Sequence, residues 1–96
     1  MEFLADMVTN VPEGTSDDVV EATKAREAVR AGELAQQGHL LRLWKPPVEP
    51  GVWRTFGLWR ADNASELEGI LASLPLHAWM TVGVTPLTPH PNDPGV

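Results

Sequence analysis

A small set of ionisable side chains in this 96-residue sequence could carry acid–base chemistry. Lys24 and Glu27 are three residues apart in a segment rich in helix formers, so they share one helix face. A positioned carboxylate can remove and return a proton. His77 is an alternative base, because the unperturbed pKa of histidine lies near 6.5. The competing interpretation is an exposed helix ion pair and a solvated histidine.

A short basic zone lies between two acidic stretches. Residues 37–60 hold four basic residues and one acidic residue, whereas residues 1–36 and 61–96 are net negative and the whole chain carries a charge of −6. Such a zone can guide a small anion to one place. Arg42 and Lys45 are candidates for holding it, although on a regular strand they face opposite sides. Alternatively, these cations only keep a strand edge soluble.

The amino-acid composition argues against several kinds of partner and site. No basic footprint covers the chain, so nucleic acid is not expected as a partner. The chain has no cysteine, and its three histidines lack the spacing of metal ligands, so no metal site is predicted. No apolar run approaches the roughly 20 residues of a membrane span, and the start lacks the cationic region of a signal peptide. We therefore expect a cytoplasmic protein that does not bind membranes.

The elements that position these residues alternate between strand and helix. Apolar periodicity predicts helices over residues 17–37 and after the capping box at Asn63, and strands over residues 3–9, 39–45, 52–60 and 77–85. The order β-α-β-β-α-β is typical of an α+β ferredoxin-like domain, in which a four-stranded antiparallel sheet carries two helices on one face. The domain should cover residues 1–86, and residues 87–96 form a Pro-rich tail.

Strand parity predicts one aliphatic and one aromatic sheet face. Met80, Val82 and Val84 should meet the helices, while His77 and Trp79 take the other face. Tryptophans on an open face need cover, most simply by the same face of a second subunit. We therefore predict a sheet-to-sheet homo-oligomer, at least a dimer. The four tryptophans are otherwise core residues or the walls of a ligand pocket: Trp44, Trp53, Trp59 and Trp79.

Several segments resemble the muconolactone Δ-isomerase family, and together they run over nearly the whole chain. The matching segments are Lys24-Ala25-Arg26-Glu27, Gln37-Gly38, Arg42-Leu43-Trp44-Lys45, Leu74-Pro75-Leu76-His77-Ala78-Trp79-Met80, Val84-Thr85-Pro86-Leu87 and His90-Pro91. The resemblance implies a dimeric α/β barrel that assembles further into a decamer, with the C-terminal tail reaching a neighbouring subunit. It also implies an isomerase of the β-ketoadipate pathway of aromatic catabolism, which moves a C=C bond in a carboxylated lactone without a metal or an organic cofactor.

The resemblance also assigns roles to individual residues. Glu27 becomes the first choice for proton transfer, with His77 as the alternative. The substrate-binding candidates are Lys24, Arg42, Trp44, Lys45, Trp53, Trp79 and His90. Glu27 implies a pocket between helix and sheet, whereas the tryptophan face implies a pocket on the dimer side. A pocket opening at the sheet edge could draw on both.

Three stretches depart from the family pattern. The family usually has Arg where Lys45 stands, and its aromatic strand and its Phe-Pro-Tyr segment are replaced by residues 53–60 and 77–79. These departures leave open a second interpretation. On the same dimeric scaffold, the chain would be a small-molecule binding or biosynthetic module, such as a cyclase, a dehydratase or a ligand-binding protein, that takes an aromatic ligand.

Overall fold

The computed structural model describes residues 1–95 as a four-stranded antiparallel sheet of order β2-β3-β1-β4 with two helices. This arrangement confirms the predicted ferredoxin-like order β-α-β-β-α-β. A 3₁₀ segment, Pro75–Trp79, joins the second helix to the last strand. The elements are Glu2–Thr9 (β1), Asp17–Gln36 (α1), Leu40–Trp44 (β2), Trp53–Arg60 (β3), Ala64–Ala72 (α2) and Met80–Leu87 (β4).

Both helices begin at side-chain caps, and the cap of the second helix is the one that the sequence predicts. The Ser16 hydroxyl accepts a hydrogen bond from the Val19 backbone N–H at 3.3 Å and starts α1. The Asn63 side chain accepts one from the Glu66 N–H at 2.8 Å and starts α2. Such caps satisfy backbone donors that the first helical turn leaves free. No helix within residues 1–95 is long and apolar enough to cross a membrane.

The core lies between the helices and one face of the sheet. Alternate residues of β1 point into it, and Phe3, Ala5 and Met7 are all buried. Leu34 of α1 and Leu67 of α2 close the same cluster from the other side. This alternation is what a half-buried strand requires, because successive side chains point to opposite faces.

The prediction that several tryptophans occupy the open sheet face is wrong. On β3, Trp59 lies opposite Phe3 and Trp53 lies opposite Thr9, so both face the helices with the buried residues of β1. Trp44 of β2 is 41% exposed and pairs with Phe56, which lies on the open face. Two of the four tryptophans therefore belong to the space between helices and sheet.

Two local irregularities explain why strand parity failed at other positions. Residues 77–79 belong to the 3₁₀ segment, so β4 begins at Met80 and not at His77. The fixed φ of Pro75 suits the first position of such a turn. In β2 the register shifts between Leu40 and Arg42, so that Leu43 pairs with Gly57 on the helix side. A bulge of this kind reverses the side-chain alternation that a regular strand would show.

Candidate active site

A cavity of about 250 Å³ lies between α1 and the sheet. Two small residues of α1, Ala28 and Ala31, form part of its wall and leave the space that larger side chains would fill. Most other lining residues are apolar, and four carry polar side-chain groups besides the indoles: Thr9, Lys24, Glu27 and Thr55. An apolar cavity with a few convergent polar groups is the usual form of a small-molecule site.

Glu27 is the acidic residue of the cavity wall. One of its carboxylate oxygens accepts a hydrogen bond from the backbone N–H of Leu76 at 2.9 Å, which ties α1 to the 3₁₀ segment. Partial burial raises the pKa of the Glu27 carboxyl, although the Leu76 N–H and the neighbouring His77 act in the opposite direction. The carboxylate is therefore fixed in position and more basic than a surface glutamate.

Lys24 lies one helical turn from Glu27 and lines the same cavity. Its ammonium nitrogen is 5.7 Å from the centre of the Trp53 ring, within cation–π distance. The same nitrogen is 3.6 Å from Glu21 in an exposed pair. Since exposed pairs of this type are weak, an anionic ligand can compete with Glu21 for this cation.

A second, open hollow adjoins the cavity and shares Lys24 and Trp53 with it. Lys45 and Arg54 also line this hollow, together with residues of the β2–β3 loop. Arg54 is engaged by the Asp6 carboxylate through a two-point contact of 2.5 and 2.9 Å. Lys24 and Lys45 thus form a basic approach to the cavity.

The structure separates the other sequence-predicted residues from this cavity. Arg42 stacks on Trp44, with its guanidinium carbon 5.2 Å from the ring centre, on the open sheet face. Trp79 and His77 lie in the 3₁₀ segment, where His77 is next to the residue that contacts Glu27 but is absent from the cavity wall. His90 lies in the tail, and its ring accepts a hydrogen bond from the Asn92 N–H at 3.0 Å.

Sequence reasoning missed most of the sheet-side wall. Met7, Thr55 and Met80 line the cavity, yet none was predicted as a site residue. Trp59, which was predicted only as a core residue or a pocket wall, lines it as well. Strand parity carried the signal, because Trp53, Thr55 and Trp59 share one face of β3. The alanines of the α1 stripe were the second signal, since a helix face of small residues either lies close to the sheet or leaves a space.

Sequence comparison places this chain in a known family. The family model described as muconolactone delta-isomerase matches residues 1–93. Muconolactone Delta-isomerase 1 of Acinetobacter lwoffii is 32% identical over 92 residues, which cover 96% of this chain and 93% of that protein. The muconolactone Delta-isomerase of Cupriavidus pinatubonensis is 29% identical over 92 residues, which cover 96% and 97% of the two chains.

Comparison with solved structures leads to the same family. A crystal structure of muconolactone isomerase superposes with a TM-score of 0.84 at 25% sequence identity. The superposition covers 96% of this chain and 93% of that one, so the fold is shared over nearly all of both chains.

Proposed function

This chain belongs to the muconolactone Δ-isomerase family, and we propose that it is a cofactor-independent isomerase that shifts a C=C bond in a muconolactone-like carboxylated lactone. Family membership supports an isomerase role at the coarser level. The observation that carries the finer proposal is the position of Glu27. Its carboxylate is held in the wall of a largely apolar cavity, where burial raises its pKa toward that of a useful base.

The proposed reaction is a pair of proton transfers. Glu27 removes a proton from the saturated ring carbon next to the C=C bond, and the electron pair of that C–H bond is delocalised through this double bond onto the lactone carbonyl oxygen, which gives a dienolate. The protonated Glu27 then returns the proton to a different carbon, where a new C–H bond forms and the double bond ends in its new position. One carboxylate serves both steps if it lies over one face of the ring, and no proton is gained or lost overall.

The substrate carboxylate needs a cation. Lys24 is the candidate at the cavity, and Lys45 lies in the adjoining hollow. Both are ammonium groups, which hold an anion as a point charge without the fixed two-point geometry of arginine. This arrangement would place the carboxylate at the opening of the cavity and the lactone ring against the Trp53 side of its wall.

His77 remains the alternative base. It adjoins Leu76, whose N–H contacts Glu27, but it does not line the cavity. Under the proposal it acts only through its charge on Glu27, whose pKa it lowers when protonated.

The direct test is to mix the purified protein with muconolactone and follow the ultraviolet absorbance as the double bond moves. Turnover that scales with protein concentration is expected, and heat-inactivated protein serves as the control. No turnover at high enzyme concentration would end the assignment to muconolactone.

A second candidate is a binding or biosynthetic role toward an aromatic ligand. The observation that favours it is the pair of indoles in the cavity wall, Trp53 and Trp59, because aromatic rings stack on such surfaces. Tryptophan fluorescence titrated with an aromatic acid such as salicylate separates the two candidates. Micromolar binding of salicylate without turnover of muconolactone would favour the second.

A further inference from the structure

The Trp59 side chain holds a hydrogen-bond donor that the fold itself does not use. Trp59 is 1% exposed, and its indole Nε1 has no acceptor among residues 1–95. A buried donor left unsatisfied destabilises the fold, and buried polar groups without partners are rare in native proteins. A buried donor beside a cavity therefore calls for a functional explanation.

The surroundings of this nitrogen place it at the sheet side of the cavity. A Cβ atom at Gly57 would lie 2.4 Å from Trp59 Nε1, so the indole edge occupies the space above this glycine. The same point is 3.1 Å from the Met7 methyl carbon and 3.3 Å from a Leu43 methyl carbon. Met7, Leu43 and Trp59 all line the cavity that contains Glu27.

Gly57 is what permits this position of the indole. Any side chain at residue 57 would collide with the nitrogen, whereas glycine lets the ring lie directly on the strand. Met7, which borders the same point, is unbranched and adaptable, so its methyl group can withdraw when a ligand enters. Because Nε1 is itself buried, a ligand oxygen reaches the donor only after the Met7 or Leu43 side chain moves aside.

We infer that the Trp59 indole N–H donates a hydrogen bond to an oxygen of the bound substrate, which in the proposed reaction is the lactone carbonyl oxygen. This assignment rests on the proposed function for the identity of the oxygen. Enolate formation places negative charge on that oxygen, and a preorganised donor in a dry site stabilises such charge. Trp59 would then oppose Glu27 across the ring, with one group taking the proton and the other holding the charge.

The experiment is a proton–nitrogen NMR titration of the four indole N–H signals. The signal of Trp59 is identified by its loss in Trp59→Phe. The probes are muconolactone, added to the slow Glu27→Gln variant, and 2-furoate, an unreactive flat oxygen heterocycle with a carboxylate. The inference predicts that the Trp59 N–H proton moves downfield by several tenths of a part per million, while the signals of Trp44 and Trp79, which lie outside the cavity, stay in place.

Ligand binding that shifts the Met7 methyl signal but leaves the Trp59 N–H unmoved would overturn the inference, as would failure of both probes to bind at millimolar concentration. Steady-state kinetics distinguish failure of this inference from failure of the proposed function. If the wild type turns over muconolactone, Trp59→Phe should lower kcat/KM by about 10–100-fold, the worth of a hydrogen bond to a charged group. An unchanged kcat/KM would reject the role of Trp59 and leave the isomerase assignment standing. If the wild type shows no turnover, the isomerase assignment fails and 2-furoate still tests the donor.

Discussion

At the scale of residues, Glu27 is the side chain of α1 that lines the cavity and is proposed to transfer the proton. The family resemblance singles out this residue from the sequence alone, and the cavity places it beside Lys24 and Trp53. The sequence could not show that the Leu76 N–H fixes the carboxylate at 2.9 Å, because that contact joins residues 49 positions apart. The proposed donor role of Trp59 could not be predicted for a similar reason, since it depends on Gly57 having no side chain.

The pH dependence of turnover should report Glu27. A base must be ionised, and burial raises the pKa of this carboxyl, so kcat/KM should fall as the pH drops through a midpoint above that of a surface glutamate. A pH–rate profile from pH 4 to pH 9 measures this acidic limb. His77→Gln is the matched control and should retain the limb. Loss of the limb in His77→Gln, with the limb kept in the residual activity of Glu27→Gln, would transfer the role to His77.

At the scale of elements, the order and type of helices and strands could be predicted, because apolar periodicity indicates the elements and side-chain caps mark the helix starts. The capping residue Asn63 is found where the sequence places it, and Leu67 and Leu71 of α2 are both buried at the four-residue spacing of one helix face. The 3₁₀ segment and the β2 bulge escaped prediction, since both break the periodicity from which strands and helices are predicted. These two irregularities bring Leu76 to Glu27 and turn Leu43 toward the cavity.

Two glycine-to-alanine substitutions, one in β3 and one in α1, test whether the absence of a side chain at Gly57 holds the Trp59 indole in the cavity wall. Gly57→Ala should lower the free energy of unfolding by about 1–3 kcal/mol, because its Cβ would lie 2.4 Å from the Trp59 nitrogen. Gly32→Ala is the control. It lies inside α1 with nothing within 4 Å of its Cβ position, so it should raise stability by about 0.5–1 kcal/mol. Urea unfolding of both variants gives these values, and a Gly57→Ala protein as stable as the wild type would show that the indole is not fixed there.

At the scale of the whole molecule, the open sheet face has the character of a surface through which two subunits could pair. Its centre carries apolar side chains, including Leu4, Phe56 and Leu58, with the exposed Trp44 at one edge. Asp6 and Arg54 are paired on this face, and the Arg54 guanidinium lowers the pKa of the Asp6 carboxyl. A charge pair that is already satisfied can be covered at lower cost than a lone charge. The face is therefore suited to the sheet-to-sheet pairing that the sequence predicted, and we propose that the tail that follows β4 contacts a neighbouring subunit.

Light scattering at micromolar concentration tests this assembly. The wild type should have at least twice the mass of one chain, whereas Leu58→Asp should shift it toward the single-chain mass, because a carboxylate buried in an apolar interface is unfavourable. Val29→Asp is the control, since Val29 is 66% exposed on α1, away from the open face. A wild type that runs as a single chain would contradict the proposed pairing.

The central claim is that Glu27 transfers the proton in the cavity between α1 and the sheet. The most direct measurement is the rate of double-bond migration in muconolactone catalysed by the wild type, by Glu27→Gln and by Glu33→Gln. The last variant makes the same chemical change at an exposed residue of the same helix that pairs with Arg30. We expect kcat to fall by roughly 10²–10⁴ in Glu27→Gln, the usual worth of a general acid–base, and to stay near the wild-type value in Glu33→Gln. A folded Glu27→Gln protein with wild-type kcat would contradict the account.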